Sequence, residues 1–140
     1  MTALVLVLTA CVSTIGGRPT APAGLAWERN VADAVANMGG VLMTVGHAMT
    51  EVDYSATREN CTKLQAALDR IEDQLPAPDK EVDDALRDGI DNYRSFADIC
   101  VTLTPNSSGR DLDRLTDYLD RGDARIRDAL GLIGIEIPSR

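Results

Sequence analysis

The sequence predicts an all-α protein: an antiparallel up-down four-helix bundle that follows a signal segment and a flexible linker. Three observations carry this. Apolar residues recur at alternating spacings of three and four through four long stretches. Breaks rich in Gly, Pro and Ser separate those stretches and are short, which favours antiparallel neighbours. Strand-like alternation is confined to Ile135–Ile137. At 140 residues the chain holds one domain, large enough to bury a core without a cofactor.

The expected organisation is a signal segment over 1–10, a lipidated cysteine and linker over 11–24, a bundle over 25–135, and a tail over 136–140. Residues 12–24 are dominated by Gly, Pro, Ser and Thr without periodicity, and extended they would reach roughly 40 Å at about 3.3 Å per residue. Helix one is predicted over 25–52, with a stripe of Val31, Val35, Met38, Leu42, Val45, Met49 and Val52. Gly39, Gly40 and Gly46 fall inside it, each about 1 kcal/mol poorer than Ala in a helix, so either a neighbour packs closely there or the helix bends. Asp53 or Ser55 is the expected cap of the next helix.

Helix two is predicted over 56–75 through Cys61, Leu64, Leu68, Ile71 and Leu75. Pro76-Ala77-Pro78-Asp79 stops it and caps the next. Helix three, over 80–103, repeats Val82, Leu86, Gly89, Tyr93, Phe96, Cys100 and Leu103. Helix four, over 110–133, repeats Leu112, Leu115, Leu119, Gly122, Ile126, Ala129 and Ile133, and Ser108 with Asp111 has the spacing of a capping box.

The first eleven residues carry an address. An apolar run, Ala3-Leu4-Val5-Leu6-Val7-Leu8, leads into Leu8-Thr9-Ala10-Cys11. An apolar core enters a bilayer, small residues admit a peptidase, and the thiol accepts a diacylglyceryl group. The segment resembles a bacterial lipoprotein precursor, and the resemblance implies lipidation at Cys11 after cleavage at the box Leu8, Thr9, Ala10. No Lys or Arg precedes Arg18, so the basic opening of such a signal would come from a start upstream. The run is too short to span a bilayer, which takes about 20 apolar residues.

With Cys11 given to lipid, Cys61 and Cys100 remain as a pair, as expected for a disulfide in an oxidising compartment. Level helix ends would leave them roughly 10 Å apart along the axis, so the pairing needs the proline-rich turn to stagger the helices. Two buried free thiols are the alternative. A cysteine on helix two, the turn Leu75-Pro76-Ala77-Pro78-Asp79 and a late cysteine on helix three resemble small exported actinobacterial, mycobacterial-type helical proteins, many of them lipoproteins. The excess of Arg over Lys, 12 to 2, suits a GC-rich genome.

The net charge of −8 argues against a nucleic-acid footprint and against peripheral binding to anionic lipid. No nucleophile motif, phosphate loop or dinucleotide fingerprint appears, so a non-enzymatic protein without a cofactor is expected. The acidic stripe Glu81, Asp84, Asp88 and Asp91 is interspersed with Lys80, Arg87 and Arg94 and reads as a solvated, paired face. His47 and Met43, four residues apart on one helical face, are the candidate copper ligands in a chain otherwise without a metal motif.

Three functions follow as expectations. The first is a lipid-anchored interaction module of the cell envelope, held on the outer face of the membrane by lipid on Cys11 and meeting an envelope protein partner. The second is an envelope carrier of a small apolar or lipid ligand, for which Gly39, Gly40, Gly46, Gly89 and Gly122 would leave space between helices. The third is metal binding through His47 and Met43.

Overall fold

A computed structural model describes residues 20–137, with side chains from 24 onward, and within them the predicted bundle is present. Four helices follow in order: α1 (Thr20–Thr50), α2 (Tyr54–Glu72), α3 (Lys80–Cys100) and α4 (Gly109–Leu132). There is no strand among the described residues, and no described helix is long and apolar enough to cross a membrane. Cys11 and the box Leu8, Thr9, Ala10 lie outside the described residues.

The helix ends obey local chemistry. The Asp53 carboxylate accepts from Ala56 N at 2.9 Å and starts α2. Asp79 does the same for α3, accepting from Glu81 N at 2.8 Å and Val82 N at 3.2 Å. Ser108 and Asp111 form the reciprocal capping box of α4. The first helix begins earlier than predicted, at Thr20 rather than 25. Pro22 does not prevent this, since N–H groups in a first turn have no helical partner to lose.

Two helices end on the same device. After α1, Val52 N bonds Met49 O and Asp53 N bonds Ala48 O; after α4, Gly134 N bonds Gly131 O and Ile135 N bonds Leu130 O. Each is a Schellman turn, which requires a left-handed residue, here Val52 at φ 58 and Gly134 at φ 79. Val52 therefore lies past the helix it was predicted to extend. It is 63% exposed rather than part of the packed stripe, because the left-handed turn rotates it away.

Pairings across the bundle establish the antiparallel order. Trp27 Nε1 donates to Gln74 O at 2.6 Å, joining the start of α1 to the end of α2. Arg94 on α3 bridges Asp69 and Glu72 on α2, and Arg125 on α4 bonds Asp88 on α3 at 2.6 Å. With Cys61 level with Cys100 and Arg94 reaching Asp69 and Glu72, the start of α3 projects about nine residues, roughly 14 Å, beyond the end of α2. The turn over 73–79, with a cis Leu75–Pro76 peptide, makes that climb. Asp83 fastens the turn: its carboxylate accepts from Ala77 N at 2.8 Å and pairs with Arg87 Nε at 2.7 Å.

This offset brings Cys61 and Cys100 to disulfide distance, with a Cα–Cα separation of 5.9 Å, both fully buried. The α3 stripe is buried throughout, from Val82 to Leu103, and forms the centre of the core with Leu64, Leu68 and Ile71 of α2. On α4 the stripe is buried at Leu115, Gly122, Ile126 and Ala129, whereas Leu112 at its start is 45% exposed.

Glycines separate into two kinds. A Cβ on Gly89 would come within 2.8 Å of Ile126 Cδ1, and one on Gly122 within 2.9 Å of Tyr93 Cδ2. These two bring α3 and α4 into close contact instead of leaving space, contrary to expectation. Around Gly39, Gly40 and Gly46 a Cβ would meet nothing within 4 Å, so no neighbour packs closely there.

Candidate ligand-binding site

The helices pack in chain order, α1 on α2, α2 on α3 and α3 on α4. Between α1 and α4, which pack less closely than these pairs, lies a cleft of about 330 Å³. Small residues explain the gap on one side: Ala32, Ala36 and Gly39 line the α1 wall, with Val35, Met38 and Leu42 beside them. Ile126 and Leu130 form the α4 wall, and Tyr93 of α3 contributes to the lining. The segment after α4 also takes part, with Ile135 and Ile137 lining the cleft, so these residues belong to the site rather than to a passive tail. The Schellman turn at Gly134 reverses the chain and directs it there.

The lining is apolar except at one place. Tyr93 is 1% exposed, yet its hydroxyl donates to Asp123 Oδ1 at 2.5 Å at the cleft wall. A buried tyrosine needs such a partner for its hydroxyl. Asp123 Oδ2 lies 3.8 Å from Arg127 Nη2, close enough to attract but too far for a hydrogen bond. Asp123 and Arg127 are each about a third exposed, so the ion pair stands where the cleft meets water.

An apolar trough with few convergent polar groups is the usual form of a small-molecule site, and about 330 Å³ falls at the small end of the range of about 300–1,000 Å³ for such sites. Sequence reasoning named Gly39 as a source of space and missed Asp123 and Arg127. The available signal was Tyr93 on a core stripe, whose hydroxyl requires a partner from another helix.

The other predicted site residues stand apart from the cleft. His47 Nε2 lies 3.4 Å from Glu51 Oε1 on an exposed surface, and Met43 is 73% exposed on the same helix. Among the described residues no three His, Cys, Asp or Glu side chains gather as a metal-binding group. In the acidic stripe, Asp84 pairs with Lys80 and Asp88 with Arg125. Beside the stripe, Asp83 is held below the usual carboxylate range, first by the Ala77 N–H and then by the Arg87 guanidinium. Two of the four stripe carboxylates, Asp84 and Asp88, are thus paired within the molecule. Comparison of the chain with protein-family models, curated proteins and solved structures finds no match.

Proposed function

We propose that this chain is a lipid-anchored, non-enzymatic protein of the cell envelope that holds a small apolar or lipid ligand between α1 and α4. The observation that carries the ligand is the apolar cleft between α1 and α4, where the two helices pack less closely than the other neighbours in the bundle. The lipoprotein-like segment ending at Cys11 supports the anchor, and the buried pair Cys61 and Cys100 suits an exported, oxidising setting. An interaction module presenting the acidic stripe has less support, because Asp84 and Asp88 already have cationic partners on the protein itself.

Filling the cleft tests the reading. A Cβ at Gly39 meets no heavy atom within 4 Å, so Gly39→Leu occupies cleft space without a clash at its root. With an uncharged solvatochromic dye, the parent chain should show saturable uptake and a blue shift. Gly39→Leu should weaken uptake at least about tenfold with an undiminished melting temperature. Equal uptake by both chains, or none by the parent, removes the ligand-binding role. Intact mass of the membrane-extracted protein, against Cys11→Ser, tests the anchor separately.

A further inference from the structure

We infer that the cleft selects a single-chain amphiphile with an uncharged, hydroxylated head, such as a medium-chain alcohol or a monoacylglycerol. This rests on the cleft being a ligand site and adds which ligand it takes. The inference comes from the one polar place in the lining.

Charge balance decides the head group. Asp123 and Arg127 carry opposite charges and stand together, so the rim has no net charge to offer an ionic head. The carboxylate is fixed, because Tyr93 holds Oδ1 from below. An anionic head approaching Arg127 would come beside that fixed carboxylate, in a chain whose net charge is already −8. A cationic head approaching Asp123 would meet the Arg127 guanidinium. A hydroxyl has neither conflict. The separation of 3.8 Å between Asp123 Oδ2 and Arg127 Nη2 leaves that pair without a direct hydrogen bond. A hydroxyl at its edge donates to the carboxylate and accepts from the guanidinium, so both polar groups gain a bond that water also offers, while the chain leaves water.

Size decides the tail. About 330 Å³ corresponds to about eleven water-sized units of roughly 30 Å³, which is room for one alkyl chain of roughly ten carbons and not for two long acyl chains. The tail would lie along Met38, Leu42, Ile126 and Leu130, and the withdrawal of its own methylenes from water supplies most of the affinity.

The test is competition against the uncharged dye on the full chain, below micelle concentrations. 1-Decanol and monodecanoylglycerol should displace the dye at concentrations about tenfold lower than decanoate or decylammonium, the size of one hydrogen bond gained against a like-charge conflict. Arg127→Gln should raise the apparent affinity for decylammonium relative to decanol, and Asp123→Asn should do so for decanoate. If decanoate competes as well as decanol on the parent chain, or if neither substitution changes the ranking, the head-group selectivity is overturned while the cleft remains a site. If the parent chain takes up no dye, the cleft reading itself falls.

Discussion

The Cα of Gly122 sits so close to the ring of Tyr93 that an added methyl would lie 2.9 Å from Cδ2 and 3.1 Å from Cγ. The ring cannot swing aside freely, because its hydroxyl is bonded to Asp123 one residue further along α4. Gly122→Ala should therefore destabilise the fold by about 1–3 kcal/mol through overpacking, outweighing the gain of about 1 kcal/mol in helix propensity. Gly89→Ala should do less harm, since it meets first the flexible Cδ1 end of Ile126. Gly40→Ala and Gly46→Ala meet nothing and should stabilise by up to about 1 kcal/mol. Urea midpoints of the four variants check the order.

A β-branched residue in the left-handed region is strained, and Val52 holds that conformation at φ 58. With its side chain 63% exposed, it contributes little packing in return. Val52→Gly keeps both bonds of the Schellman turn and removes the clash. The expected gain is about 1 kcal/mol, read as a rise in melting temperature.

Cys61 and Cys100 are 39 residues apart, and closing that loop limits the unfolded chain. Reduction, or Cys61→Ala with Cys100→Ala, should lower stability by roughly 4 kcal/mol in the chain-entropy model. Urea unfolding with and without a thiol reductant measures it. No dependence on reductant would mean the pair is not bonded in solution.

Asp83 predicts a pH dependence of defined sign. Its carboxyl is held below the ordinary 3.8 by Ala77 N–H and Arg87. A lowered folded value means the contribution is fully present above the unfolded value, about 3.9, and is lost as pH falls through the folded value. Stability should thus decline below about pH 4, and Asp83→Ala should shallow that decline. At neutral pH the same variant should cost about 1–2 kcal/mol, because the Ala77 N–H loses its acceptor. Unfolding at pH 3, 5 and 7 separates the two effects.

The stripe on α3 was legible because a three-four alternation leaves one face to bury, and every residue from Val82 to Leu103 on that stripe is buried. Asp53, Asp79 and Ser108 were legible because capping is a local event. The cleft was not. Periodicity tells which face of α1 is apolar, but not whether α4 comes near enough to cover it, and Leu42 is consequently only half-buried. The extent of the α2–α3 offset was equally hidden, since it depends on the path of the turn over 73–79. Val52 was misread because its spacing continues the stripe of α1 past the point where the backbone turns left-handed.

The link between Cys61 and Cys100 joins the two helical hairpins toward the end of the bundle away from Ile135 and Ile137. Mechanically this is one of two stitches in the binding of a book whose covers are α1 and α4. The turn over 73–79 joins the same two helices at the opposite end, so α2 and α3 form a spine and a guest would part α1 from α4 sideways along their length.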